Sequence, residues 1–94
     1  MKSTDFLRGT ILKTCYEVYP DGIPEIVLRE AHYQYHRDSE ITRALNYLVD
    51  KNYLSKNEQA HAYKQNAKWI WYKITTEGID LVERHSVDKG VIID

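Results

Sequence analysis

Apolar residues recur along this chain with two periods, and the points where one gives way to the other mark its elements. Leu7, Ile11, Cys15 and Val18, with Leu12 beside them, form one stripe at helical spacing. They predict a first helix from about Thr4 to Val18, which Ser3, Thr4 or Asp5 can cap. Tyr19-Pro20-Asp21-Gly22 ends it, because proline cannot continue a helix and Asp-Gly is turn chemistry. Gly22-Ile23 can supply a brief first strand, and Pro24 suits the first position of a second helix. Ile23, Val27, Leu28 and Ala31 are expected on the inner face of that helix, which ends within the aromatic and polar stretch His32–Arg37. A third helix starts after Asp38 or Ser39, either of which can cap it. Ile41, Ala44, Leu45 and Leu48, extended by Val49, form its inward stripe, and Thr42, Arg43, Asn46, Tyr47 and Asp50 its outward face.

The period then changes to two. Strands are expected over roughly Tyr53–Lys56 and Ala67–Ile74, the second rich in β-branched and aromatic residues. Alternation places Ile70, Tyr72 and Ile74 on one face, assigned to the core, and Trp69, Trp71 and Lys73 on the other. Thr75 caps a fourth helix running to about Arg84, with Glu77 in its first turn and Ile79 and Val82 inward, a surface Leu81 can extend. The remaining stretch carries Val91-Ile92-Ile93, an apolar end expected to dock on the body or on a second subunit. The order α1-β1-α2-α3-β2-wing-β3-α4 predicts an α+β winged helix-turn-helix, a three-helix core with a small antiparallel β-hairpin. Residues 1–85 form the domain and residues 86–94 a C-terminal tail.

Ninety-four residues make one small domain with little margin of burial, which a homodimer would relieve. No run approaches the roughly 20 apolar residues of a membrane span, and no apolar signal segment follows the N-terminus, so a cytoplasmic protein is expected. One cysteine excludes an internal disulfide framework and suits a reducing compartment. The net charge of −1 argues against a binder that works by bulk electrostatics. Its distribution says more. Residues 51–73 carry five lysines against Glu58 alone, while the flanking segments are both net acidic. The positive charge therefore falls on the expected hairpin, either to meet phosphates or to keep a solvated edge from aggregating.

The chemistry that fits is recognition of double-stranded DNA. On the third helix, Ser39, Thr42, Arg43, Asn46 and Tyr47 are the candidates. Arg43 matches guanine and Asn46 adenine, while Thr42 and Tyr47 suit phosphate or a thymine methyl. Asp38, Glu40 and Asp50 flank the face and repel phosphate, so a solvated helix face or a protein-binding surface is the competing reading. In the wing, Lys64, Gln65, Asn66 and Lys68 can touch backbone or minor groove, against the plainer reading of a flexible polar hairpin. Trp69 and Trp71 share a strand face. They can stack under the wing, form a dimer surface or bind a partner, with packing inside the monomer the plainest of these. His32 and His36 have the spacing of two metal ligands on one helix turn, but no third ligand is near and Cys15 stands alone, so surface or turn histidines are expected. With no Gly-rich phosphate loop, no nucleophile elbow and no carboxylate pair tied to a cleft, neither an enzyme nor a cofactor is expected.

Four segments together resemble a family of small proteins carried by Mu-like prophages. Asp21-Gly22-Ile23-Pro24-Glu25-Ile26-Val27-Leu28-Arg29-Glu30-Ala31 resembles its "DG(V/I)xExxLRxAL" segment. Arg37-Asp38 with Leu45, Tyr47-Leu48 and Tyr53-Leu54 is similar to its "SRDxLRxDLxWLxxxGLV", and Ile74-Thr75-Thr76-Glu77-Gly78-Ile79-Asp80 to its "LTERGxDV". Gly90-Val91 is similar to its closing "PGV". The resemblance implies a cytoplasmic winged-helix protein of phage origin, in a family whose members are uncharacterised and sometimes labelled ArsR-like regulators. ArsR-type metal sensors use a thiolate cluster, which this chain lacks. Asn52 stands where winged helices often carry glycine, a substitution that asparagine's tolerance of left-handed backbone allows. The wing is also longer and richer in Lys and Gln. Two functional readings follow: a DNA-binding regulator or DNA-handling factor, and a protein-interaction module, in phage assembly or as an adaptor, built on the same fold.

Overall fold

The computed structural model describes residues 4–60 and 68–94, without the side chains of Ala60 and Lys68. The elements run α1 (Thr4–Glu17), β1 (Ile23–Pro24), α2 (Glu25–His32), α3 (Asp38–Asp50), β2 (Leu54–Ala60), β3 (Lys68–Ile74) and α4 (Thr76–Val82). Both pairings of the sheet, in the order β1-β3-β2, are antiparallel, so β3 is its centre. The chain is thus a small α+β fold in which helices cover one face of a three-stranded sheet. Among the described residues, no helix is long and apolar enough to cross a membrane.

The core is built from the stripes. Leu7, Ile11, Leu12 and Cys15 of α1 meet Ile41, Ala44, Leu45 and Leu48 of α3 over Leu54, Tyr72 and Ile74 of the sheet, all essentially buried. Leu28 and Leu81 close the sides. Val18 does not join them: α1 ends at Glu17, and Val18 opens the turn in which its carbonyl accepts from Asp21 N at 2.9 Å. The Tyr19–Pro20 peptide within that turn is cis.

α2 sits differently from its expected pattern. Ile23, on β1, is buried as expected, but Val27 and Ala31 are exposed and the buried residues of the helix are Leu28 and His32. The Tyr72 hydroxyl donates to Glu25 Oε1 at 2.9 Å, which fixes the rotation of this short helix with Leu28 inward. Proline precedes α2 rather than opening it, with Pro24 as the N-cap residue. Arg37, not Asp38 or Ser39, is the N-cap of α3, and its N–H donates to Glu40 Oε1 at 3.0 Å. Asp38 and Glu40 thus lie in the first turn, where carboxylates favour the helix dipole.

α3 ends as expected, on Asn52 at φ 64°, with Tyr53 N bonded to Leu48 O at 2.9 Å. β2 extends to Ala60, well past Lys56, because its polar residues project beyond the core while their backbone still pairs with β3. Thr75 caps α4 by accepting from Gly78 N at 3.1 Å. α4 stops at Val82, two residues short of Arg84. Leu81 carries its burial, with Ile79 and Val82 only partly covered. Arg84 takes the left-handed position that follows, at φ 67°.

The C-terminal tail docks on the body. Val91 is buried, Ile93 packs against the core, and Ile92 N donates to Asp5 O at 3.0 Å. Gly9 permits this, since a Cβ there would collide with the Ile92 carbonyl oxygen. Glycine inside a helix costs about 0.5–1 kcal/mol relative to alanine. Gly9→Ala should nevertheless lower stability, because it trades that gain for expulsion of the tail. Urea denaturation checks the sign, and faster hydrogen exchange at the Ile92 amide checks the cause.

Candidate nucleic-acid interface

α3 is the element best placed to present side chains outward, because its other face is fully spent on the core. Ser39, Thr42, Arg43 and Asn46 are all exposed along it. The angle at which they are offered is set by Arg29 of α2. Arg29 Nη1 donates to the Asp38 carbonyl at 3.2 Å and pairs with Asp38 Oδ1 at 3.3 Å. Nη2 donates to Thr42 Oγ1 at 2.8 Å and lies 3.7 Å from Glu25 Oε1. Glu25 in turn holds the Tyr72 hydroxyl, whose pKa is raised by burial and then by that bond. One polar chain therefore runs from β3 through α2 into the first turn of α3.

That chain changes the electrostatics of the face. Two of the three acids expected to repel phosphate are engaged: Asp38 by Arg29, and Glu40 by the Arg37 backbone. Such exposed pairs contribute little to stability, but they place a cation or a donor N–H beside each carboxylate. Asp50 stays exposed at the far end of the helix. Thr42 Oγ1 accepts from Arg29, a bond that leaves the hydroxyl able to donate as well.

Tyr47 is not on this face. It sits half-buried against the core with the Arg8 guanidinium 3.6 Å above its ring centroid. Its hydroxyl packs against Gly90, where a Cβ would collide with it. Being three residues after Ala44 on the helix, Tyr47 lies at the edge of the apolar stripe, and the tail covers it there. Arg8 Nη1 also donates to Gly90 O at 3.1 Å. Asp88 closes the clamp, accepting from the Tyr53 hydroxyl at 2.6 Å and Gly90 N at 2.7 Å, with Lys51 Nζ at 3.5 Å. The Tyr53 bond leads in holding the Asp88 carboxyl below its ordinary value, against the opposing effect of burial. The Tyr53 hydroxyl is pushed up to about 12, by burial first and by Asp88 second. Arg8, Arg29, Tyr53 and Asp88 had no periodic signal in the sequence. Tyr47, Tyr53 and Gly90-Val91 were the traces of this clamp that the family resemblance carried.

Of the wing candidates, Lys64, Gln65 and Asn66 lie outside the described residues, and Lys68 opens β3 opposite Ala60. At the base of the hairpin, Lys56 pairs with Glu58 at 3.5 Å. On the outer face of the sheet Trp69 and Trp71 stack on one another, centroids 6.1 Å apart and planes 12° from parallel. Their neighbours across the register are Gln59 and Asn57, and Lys73 faces Ser55.

His32 is buried and its pKa is lowered, by burial and then by His36. Among the described residues no three His, Cys, Asp or Glu side chains are grouped to hold an ion. Cys15 is buried and its thiol pushed up to about 12, so it is neither a ready ligand nor a nucleophile. No family model, no curated protein and no solved structure matches this chain.

The clamp makes acid stability testable. A carboxyl whose folded pKa is depressed contributes stability above its unfolded value, 3.8 in the ordinary case, and loses it as pH falls through the folded value. Asp88→Asn should therefore lower stability at neutral pH and flatten the decline below about pH 4. Thermal unfolding of both proteins across an acid series reads the difference.

Proposed function

We propose that the chain is a winged-helix DNA-binding protein of prophage origin, acting in transcription control or DNA handling as a homodimer in the cytoplasm. It works by binding, without catalysis or cofactor. α3 enters the major groove, and the lysine-bearing β2–β3 hairpin lies along the backbone as the wing. What supports this reading above all is the division of α3. Ile41, Ala44, Leu45 and Leu48 are buried, while Thr42, Arg43 and Asn46 stand exposed on a helix whose first turn is braced by Arg29. A helix anchored this firmly offers a fixed row of donors and acceptors to base edges. The element order and the lysine excess of residues 51–73 agree with it. Tyr47 drops out of the contact set, since it belongs to the tail clamp. Within that reading, pairing of two copies has the exposed Val87 and Ile92 of the C-terminal segment to draw on, while the apolar stripe of α1 is consumed inside the chain.

A second reading, a protein-interaction module, is favoured by α2. Ile26 at 61 % exposure, Val27, Tyr33 and Tyr35 make its outer side and the turn after it apolar and aromatic. The two readings separate on charge. Lys64→Glu with Lys68→Glu should weaken binding to every duplex and make its salt dependence shallower, by about 0.9 in log–log slope for each phosphate that a lysine no longer neutralises. A duplex-binding titration across salt concentrations checks it, and unaltered duplex affinity together with failure to bind a protein partner would favour the module. Arg43→Ala should cost about 1–3 kcal/mol at one base position and little elsewhere. Uniform weakening over all sequences would reduce Arg43 to a phosphate contact.

A further inference from the structure

The outer face of the sheet is a second surface with its own chemistry. On β2 and β3, six described residues line it: Ser55, Asn57 and Gln59, paired in register with Lys73, Trp71 and Trp69. Cross-strand partners project to the same side, so the two indoles and the two amides form adjoining rows. The indoles lie nearly parallel, at 12°, and Trp69, at the outer end, is 43 % exposed. Beside Trp71, on the strand side away from Asn57, stands Pro24 of β1. The two indoles therefore form a short stack along β3, flanked by the proline on one side and by the amides on the other. None of the six carries a carboxylate, and Lys73 supplies a cation. Glu58, the acid of this segment, is paired in register with Ile70 on the opposite side and salt-bridged to Lys56.

We infer that this face is a stacking platform for unpaired nucleotide bases, and that the protein binds single-stranded nucleic acid there. A base has the shape to lie against these indoles, since every base presents a π-face to an aromatic ring. The Asn57 and Gln59 amides, each both donor and acceptor, sit alongside to meet base edges. Lys73 meets a phosphate, in a segment whose lysines outnumber its acids five to one. A protein partner fits less well, because the indoles are bordered by amides, a hydroxyl and an ammonium rather than by further apolar side chains. The site does not depend on α3: duplex recognition uses Arg43 and Asn46, which lie on a helix beneath the other side of the sheet.

The test is fluorescence anisotropy of a short labelled oligothymidylate at low salt, with quenching of intrinsic tryptophan fluorescence as a second readout. The parent chain should bind and be quenched. Trp69→Ala should weaken binding roughly 5- to 150-fold, the effect of removing one base–aromatic stack, with Trp69→Phe keeping most of the affinity. Lys73→Glu, an exposed position that leaves the indoles in place, should weaken binding several-fold and reduce its salt dependence. Duplex binding should be unchanged in the tryptophan variants and weakened in Arg43→Ala, so failure of one site is distinguishable from failure of the other. No binding of the oligomer by the parent chain overturns the inference. So does full affinity in Trp69→Ala, or in Lys73→Glu should the alanine variant not fold. A face whose tryptophan variants alter only self-association, or only binding to a polysaccharide, overturns it as well.

Discussion

The end of α3 and the start of α4 are tied to each other through a few backbone atoms and one hydroxyl. Asn52, in left-handed backbone, turns the chain out of α3, and its carbonyl accepts from the Thr75 hydroxyl. The Thr75 N–H donates to Tyr53 O at 3.0 Å, and Thr75 Oγ1 accepts from Gly78 N. The same few atoms thus close one helix, open another, and join the residues just before β2 to the residue just after β3. Gly78 is required by the closeness of the approach, since a Cβ there would strike the Tyr53 carbonyl oxygen. With the clasp made, Leu54 must face Ile74, and every later pair in the hairpin inherits its register.

Register decides what the two sides of the sheet can do. It sends Tyr72 and Ile74 into the core and leaves the indoles outside. A slip of one residue would exchange them, burying tryptophan and lysine where tyrosine and isoleucine now pack. Tyr72 then serves twice: its ring fills the core and its hydroxyl orients Glu25. Through Glu25 and Arg29 the central strand reaches the first turn of α3. The rotation of α3 about its axis is therefore set both by apolar packing from below and by a guanidinium from the side.

What was legible in the sequence is what local chemistry dictates. Thr75 as cap, Asn52 in left-handed backbone, the stripe of α3 and the alternation of β3 all depend on neighbours a few positions away. They stand where their spacing places them. The inner face of α2 was not legible. Eight residues give barely two turns, and its rotation is decided by polar bonds to Tyr72, Asp38 and Thr42 rather than by its own apolar pattern. Val27 and Ala31 therefore ended outside, and a histidine inside. Tyr47 could not be placed for a related reason. Its position on the helix wheel is marginal, and the partners that settle it, Arg8 and Gly90, are far away in the chain. Contacts such as Arg8 to Gly90 and Tyr53 to Asp88 leave no period to read.

Cys15 has a use that its silence makes possible. It is the chain's one thiol, wholly buried and held protonated far above neutral pH. An alkylating reagent can reach it only when the core opens, so the labelling rate, divided by that of an unstructured thiol, measures the fraction of molecules open at any moment. Whatever grips the folded chain must lower that fraction in proportion to its own affinity, on whichever face it sits. A ligand of unknown identity can thus be timed by a sulfur atom it never touches.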